Sequence, residues 1–346
     1  MLTILTGLEI GSCLCVKQLE VRPVMKVYKT RNGRILEESS LEEENLWIEL
    51  VNPTEEEISL VSDKFGIRIE FLKASLDYDE SSRIDIDDQQ ILILVNMPIV
   101  EHEELPVMYN TVPFGIIITE EMLVTVSLEE SQLTLDLIRS HPDYNTNNRT
   151  RLALELLYNI ARLFLKYLKD IDKRSVEIEQ GVKKSLRNEE LVKLLNLEKS
   201  LVYFTTSLKS NEFVLERFKR FYLKRARDKE VKLTKEILEI NDEDEEFLED
   251  VIIENKQAID MADVYSNILG NTMDAFATII SNNLNIVMKF LAIITLVLAI
   301  PSIITSYYGM NIALPYQKSP LAYLGIIVIS CIVMVIVAYI LIKKKY

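Results

Sequence analysis

The stretch 285-NIVMKFLAIITLVLAIPSIITSYYGMN-311 decides how the rest of the chain is read. Phe290 to Tyr308 is a nearly unbroken apolar run of nineteen residues. As a helix rising ~1.5 Å per residue it is about 29 Å long, close to the thickness of a bilayer's hydrocarbon core. After a short loop a second apolar run, Leu321 to Ile342, closes on Lys343, Lys344 and Lys345. This pattern predicts a two-helix membrane hairpin: spans at 289–308 and 321–342, an outer loop at 309–320 and a basic tail at 343–346. Lys289 precedes the first span and three lysines follow the second, while the loop carries only Lys318. The positive-inside bias therefore puts both long flanks, and with them the N- and C-termini, in the cytoplasm.

The first span has an unusual face. Thr295, Ala299, Ser302 and Ser306 recur at steps of four, three and four, so they fall on one side of a helix. Asn285, Met288 and Leu291 extend that line toward the cytoplasmic end. Two readings stand. The hydroxyls suit a water-filled lumen lined by several copies of the helix, with Leu291 and Met288 as an apolar, dewetting gate. Alternatively, small residues simply let helices pack closely.

Tyr308-Gly309-Met310-Asn311 at the outer end of the first of two C-terminal spans resembles the signature of the CorA magnesium transporters. The preceding Ser281-Asn282-Asn283-Leu284-Asn285-Ile286-Val287-Met288-Lys289 resembles that family's approach to the membrane. The likeness is close over residues 245–346 and looser, in element order, from about residue 25. It implies a homopentameric funnel: an α+β cytoplasmic domain, a long helical stalk and the hairpin. Gly309, Met310 and Asn311 would form the selectivity filter; Asn285, Met288, Leu291, Thr295, Ala299, Ser302 and Ser306 would line the pore. The cargo would be Mg2+, with Co2+ and Ni2+ as further candidates, moved across the plasma membrane down its electrochemical gradient without an enzymatic step or organic cofactor. Cytosolic Mg2+ would also close the channel. Asp250 falls on the family's sensing-aspartate position, and Glu101, Glu103 or Glu104 of a neighbouring copy would supply a partner carboxylate. A solvated helix start is the plain alternative for Asp250.

The chemistry of the cargo suits such a filter. Magnesium dehydrates reluctantly, so neutral oxygens that hold the ion with its water shell intact avoid the cost of stripping it. A ring of Asn311 side-chain carbonyls backed by the Gly309 carbonyl has that character, with Gly309 expected to let the chain turn sharply. Met310 is expected to pack the loop. The chain departs from the family pattern twice. Ala299 stands where relatives often carry a bulky methionine. The loop Ile312–Pro320 has no acid and holds Lys318, so its mouth concentrates cations weakly. Two rivals remain: a zinc or other divalent-cation transporter of the same fold, and a membrane-anchored helical scaffold that conducts nothing.

The rest of the chain is consistent with a large hydrophilic body. Its 346 residues allow two or three domains, and a formal charge of -14 argues against nucleic acid as a partner. Cys13, Cys15 and Cys331 are too scattered for a disulfide framework or zinc site, and His102 and His141 are far apart. Residues 1–24 have no basic region or clear cleavage site, whereas Met25 opens a strand-like run; an extension of non-native origin is expected there. Residues 25–142 predict an α/β domain with strands at Leu46–Val51, Ile91–Met97, Phe114–Thr119 and Met122–Ser127. Thr54, with Glu57 three residues on, predicts a capped helix start whose Leu60, Val61 and Phe65 face the sheet. Glu120-Glu121 reads as a hairpin turn. Ser75-Leu76-Asp77 and Arg83 read as a solvated loop, and Glu101, Glu103 and Glu104 as an acidic turn. No phosphate loop or nucleophile–base pair stands out.

Residues 143–288 are proline-free and predict a stalk domain of long helices. Leu152, Leu156, Ile160, Leu163, Tyr167 and Ile171 mark one helix reaching about Lys184, and a second covers Asn188 to Arg227. The basic stretch Arg217–Lys235 fits a solvated face, anionic headgroups or a neighbouring acidic helix. Asn241–Asp250 holds seven carboxylates. From about Glu243 a third helix can run to Tyr308 through Pro301. Its Ala262, Tyr265, Leu269, Met273, Phe276, Ile280 and Val287 form a near-heptad stripe, read here as a seam between copies.

Overall fold

The computed structural model describes residues 24–31, 34–38, 40–87, 89–102, 108–130, 145–184, 188–227, 237–238, 241–310 and 321–343. Met1 to Pro23, Glu103, Glu104, His141, Asn311, the loop to Pro320 and Lys344 to Tyr346 lie outside them. The residues up to Gly270 form one compact unit and those from Asn271 a second.

The first unit is built on a seven-stranded sheet. Its strands are β1 (Val24–Arg31), β2 (Arg34–Glu38), β3 (Leu46–Val51), β4 (Arg83–Ile86), β5 (Gln90–His102), β6 (Met108–Thr119) and β7 (Met122–Ser127). Their order is β2-β1-β3-β7-β6-β5-β4, and only β3 and β7 run parallel. Every residue of β3 and of β7 is buried, because both faces of the sheet are covered. On one face lie α1 (Glu55–Phe65) and α2 (Ile69–Lys73), packing Ile58, Val61, Phe71 and Leu72 onto Ile48, Leu50, Leu92, Leu94 and Val124. The other face receives α3 (Arg149–Lys184) and α4 (Asn188–Arg227). There Trp47 donates its indole N–H to the Thr125 hydroxyl at 3.0 Å, and Tyr109 packs against Tyr167 and Phe204.

Helix α1 starts as its sequence dictates. Thr54 Oγ1 accepts from Glu57 N at 3.2 Å while Glu57 Oε2 accepts from Thr54 N at 2.8 Å, a complete capping box. Gly66, at φ 65, closes the helix in the left-handed region that favours glycine. The predicted sheet-facing set needs one correction. Val61 is fully buried and Phe65 joins the core, but Leu60 is exposed and Ile58 takes its place, three residues before Val61 on the same face.

Two further expectations change. Ser75 is fully buried in a 3-10 turn, Ala74–Leu76, and not in a solvated loop. Its hydroxyl lies 2.9 Å from where a Cβ on Gly115 would sit, so glycine at 115 in β6 is what admits the turn. Arg83 belongs to edge strand β4, bracketed by Glu80 and Asp85. Glu101 is also no turn residue: β5 continues to His102, and Glu101 is the unpaired position of a bulge between Val100 and His102.

Helix α4 is fastened to the sheet through Asn211. Its Nδ2 donates to Asn96 O at 2.8 Å, and its Oδ1 accepts from Asn96 N at 2.8 Å and from the Ser82 hydroxyl at 3.3 Å. The amide replaces the strand neighbour that β5 lacks beyond the end of β4, where pairing stops at Arg83 and Leu94.

Helix α5 (Asp242–Tyr308) is unbroken over 67 residues, passes through Pro301 and extends into the second unit. Its start is fixed by a side-chain cap: Asn241 Oδ1 accepts from Asp244 N at 2.6 Å, and Asn241 Nδ2 donates to Asp244 Oδ2 at 2.8 Å. Tyr222 of α4 holds the Asn241 backbone through both its N–H and its carbonyl, each at 3.1 Å. Farther along, Lys219 pairs with Glu249 and Lys209 with Asp263, and Asn255 donates to Leu208 O, so α4 and α5 run antiparallel. The proposed seam between copies is corrected in part. Ala262, Leu269 and Phe276 are already buried within the single chain, whereas Ile280 and Val287 are exposed. Own-chain packing reaches as far along that stripe as Phe276.

Candidate functional site

The second unit holds the end of α5 and helix α6 (Ala322–Lys343). Both are long and apolar enough to cross a membrane, and hardly any residue of the two apolar windows is buried. Exposure on α5 is not uniform. Ile293, Val297, Ile300 and Ile304, spaced four, three and four, are half-covered. On α6 the covered positions Ile326, Ser330, Val333, Val337 and Leu341 also share one face, with the Ser330 hydroxyl satisfied by Ile326 O at 2.7 Å. The sequence alone did not separate this covered face of α5 from a lipid-facing one, because both are Ile and Val.

The polar stripe occupies the opposite side. At 100° per residue, Thr295, Ser302 and Ser306 lie roughly 120–180° round the helix from Ile293, Val297 and Ile300. Asn285, Met288, Leu291, Thr295, Ser302 and Ser306 are exposed, and Ala299 is half-covered. Thr295 Oγ1 donates its hydrogen to Leu291 O at 2.8 Å. Its oxygen therefore faces outward as an acceptor only. Thr305, which the sequence reading passed over, is back-bonded in the same way to Pro301 O at 2.9 Å.

Gly309 and Met310 end the span. Gly309 N donates to Thr305 O at 2.9 Å and to Ser306 O at 3.2 Å; Met310 N donates to Tyr307 O at 3.4 Å. The chain turns at Gly309, with a φ outside the left-handed region. Glycine serves a different need there, since a Cβ would come 3.3 Å from the Thr305 carbonyl and 3.6 Å from that of Ser306. Met310 is exposed, and Asn311 lies outside the described residues.

The acidic start of α5 divides into two sets. Asp244 is buried, 3.5 Å from the Arg151 guanidinium of α3, which also lies 3.7 Å over the Phe247 ring. Glu243, Glu246 and Asp250 are exposed. Glu101 is half-buried near Tyr78, whose hydroxyl burial and the charges of Glu129 and Glu101 hold protonated beyond its ordinary range. Among the described residues no three His, Cys, Asp or Glu side chains are grouped to hold a metal within one chain. Lys219 shows that part of the basic stretch does meet an acidic helix, its own chain's α5.

A family described as CorA-like Mg2+ transporter protein matches residues 42–344, from just before β3 to the last turn of α6. The chain belongs to the CorA family. The cobalt/magnesium transport protein CorA of Methanocaldococcus jannaschii is 30% identical over 316 residues, covering 88% of this chain and 92% of that relative. The complete structure of the CorA magnesium transporter from that organism has a TM-score of 0.74 at 25% identity, covering 93% of this chain and 98% of that one. Full-length CmaX shares the fold with a TM-score of 0.60 at 14% identity, over 91% of this chain and 97% of its own. The ZntB cytoplasmic domain from Vibrio parahaemolyticus does so at 0.55 and 9% identity, over 75% of this chain and 98% of its own. The CorA match starts after β1 and β2, yet β1 pairs along β3 from Val24 opposite Val51, so these strands belong to the same sheet.

Proposed function

We propose that the chain assembles as a homopentamer in the plasma membrane and conducts Mg2+ passively, with Co2+ as a competing cargo, and that both termini are cytoplasmic. The observation that carries this reading is the exposed polar stripe on α5, opposite the half-covered face. A single hairpin cannot enclose a lumen, so a face of this kind calls for other copies of the same helix.

The chemistry follows from the donors and acceptors. A hydrated magnesium ion presents water hydrogens outward, so a lumen that carries it must offer acceptors. Thr295, whose own hydrogen is committed to Leu291 O, is such an acceptor. Ser302 and Ser306 extend the row, Ala299 leaves it wide, and Leu291 and Met288 supply an apolar constriction before the Asn285 ring. Gly309, Met310 and Asn311 form the outer filter, with the carbonyl oxygens of Asn311 and Gly309 toward the ion. The body 25–142, the stalk 143–288, the spans 289–308 and 321–342 and the tail 343–346 carry these roles, and no catalytic step or organic cofactor takes part. Cytosolic Mg2+ closes the channel by bridging Asp250 of one copy to Glu101, Glu103 or Glu104 of the next, where unpaired acids repel until an ion binds.

Mg2+ flux into liposomes holding the purified chain tests the reading, beside Asn311→Ala and with Co2+ and Zn2+ as competitors. Mg2+ uptake that vanishes in the variant is expected. Uptake of Zn2+ alone would change the cargo and keep the architecture, and no flux from folded, inserted protein would leave a scaffold. For the sensor, Asp250→Asn should need more internal Mg2+ to close, and an unchanged response would discard it.

A further inference from the structure

A cleft unrelated to the conducting face lies in the first unit, between α3 and α5. Its volume is about 1060 Å3, at the upper end of the range for small-molecule sites. One wall is basic: Arg162, Lys166, Lys169 and Lys173 follow one another at steps of four, three and four, on one face of α3, and all four are exposed. Glu254 and Gln257 of α5 face them.

This stripe is held by no ion pair among the described residues. Among the described residues no carboxylate lies within ion-pairing distance of any of the four cations; Arg162 only stands 5.8 Å from the Tyr158 ring. The one carboxylate embedded in the basic wall, Asp170, is engaged elsewhere. It accepts from the buried Tyr109 hydroxyl and from Arg174 Nε at 2.8 Å. Desolvation opposes its ionisation, but those two bonds, with the nearby charges of Arg174 and Lys173, outweigh it and hold Asp170 below the usual carboxylate range. Across the cleft Glu254 is the carboxylate facing these charges, and Asp170 feels Lys173 as a nearby charge without pairing with it. Like charges three and four apart on a helix repel by a few tenths of a kcal/mol per pair. A chain with a net charge of -14 has abundant acid with which to quench them, and does not.

We propose that this cleft binds a polyphosphate anion. From Arg162 to Lys173 is eleven residues, about 16 Å of helix, so no single phosphate reaches all four cations. A row of linked phosphates does. Arginine can grip one phosphate with two parallel hydrogen bonds, and the lysines act as point charges along the remainder. An inorganic chain and a nucleoside triphosphate share this chemistry.

The test is calorimetric titration of the full chain, in detergent micelles and EDTA, with sodium tripolyphosphate and separately with ATP. Saturable binding at one site per chain is expected, weakened at least about tenfold by Lys166→Gln/Lys169→Gln and strengthened severalfold by Glu254→Gln, which removes the facing acid. Equal affinity for the two probes would make the phosphates sufficient, and tighter ATP binding would assign the site to a nucleotide. No saturable heat with either probe overturns the proposal, as does affinity that both variants leave unchanged. It is likewise overturned if the lysine variant dissociates the assembly and the parent chain binds neither probe, since acidic side chains of a second copy would then occupy the cleft.

Discussion

Replacing Thr295 by valine keeps the shape of the side chain and removes one oxygen. In the structure that oxygen has spent its hydrogen on Leu291 O at 2.8 Å and remains an outward acceptor. If the stripe lines the conducting path, valine takes away one hydrogen bond to the ion's water shell from each copy facing it. One such bond is worth about 1 kcal/mol net, so each bond removed at the limiting barrier costs roughly fivefold in rate. Mg2+ uptake into liposomes should therefore fall at least about fivefold in Thr295→Val, and Thr295→Ser, which restores the oxygen, should stay within about twofold of the parent. The control is Thr305→Val. It removes a hydroxyl back-bonded in the same manner, at 2.9 Å to Pro301 O, but about 80° round the helix from Thr295. Its flux should stay within about twofold. Parental flux in Thr295→Val, or an equal fall in Thr305→Val, would refute the assignment of the conducting face, since both results make the position of the oxygen irrelevant.

Other consequences lie in the first unit. Asn211→Leu strips the outer edge of β5 of its partner at Asn96 and leaves the Asn96 N–H and carbonyl unpaired beside α4; at about 1–3 kcal/mol for each group left buried, thermal melts in detergent should show a loss of roughly 2–4 kcal/mol. Gly115→Ala places a Cβ 2.9 Å from Ser75 Oγ, and should cost about 1–3 kcal/mol by the same melts. Ser75→Ala alone should be near neutral, since that hydroxyl is buried without a partner, and it should rescue Gly115→Ala only in part because the Ser75 Cβ remains at 3.3 Å. Tyr222, pushed up to about 12 chiefly by burial, binds a proton in the folded state that it loses near 10 when unfolded; its contribution is whole below about pH 10 and is lost as pH rises toward 12. Tyr222→Phe should flatten part of the alkaline loss of stability, leaving the share of the other buried tyrosines, and an identical alkaline limb would exclude this role.

What the sequence revealed, and what it hid, has a common physical cause. Strands β3, β5, β6 and β7 are buried on both faces, so they appear as apolar runs that alternation is not needed to detect. Edge strands β2 and β4, RILEE and RIDI, each pair with the strand next to them in the chain, but they are short and charged, and too few of their residues are apolar to mark them as strands. The same distinction separates the two halves of α5. In the membrane segment, polarity is so costly that a hydroxyl row stands out from its letters alone, and the stripe is legible in the sequence itself. In the half that belongs to the first unit every face of a helix tolerates charge, so the letters of 241–250 do not tell the buried Asp244, held by Arg151, from the exposed Asp250 six residues later. The basic stripe on α3 went unread, although Arg162, Lys166, Lys169 and Lys173 are at helical spacing. Its meaning depends on Asp170, whose bonds to Tyr109 and Arg174 remove the acid that the letters alone would set against those cations.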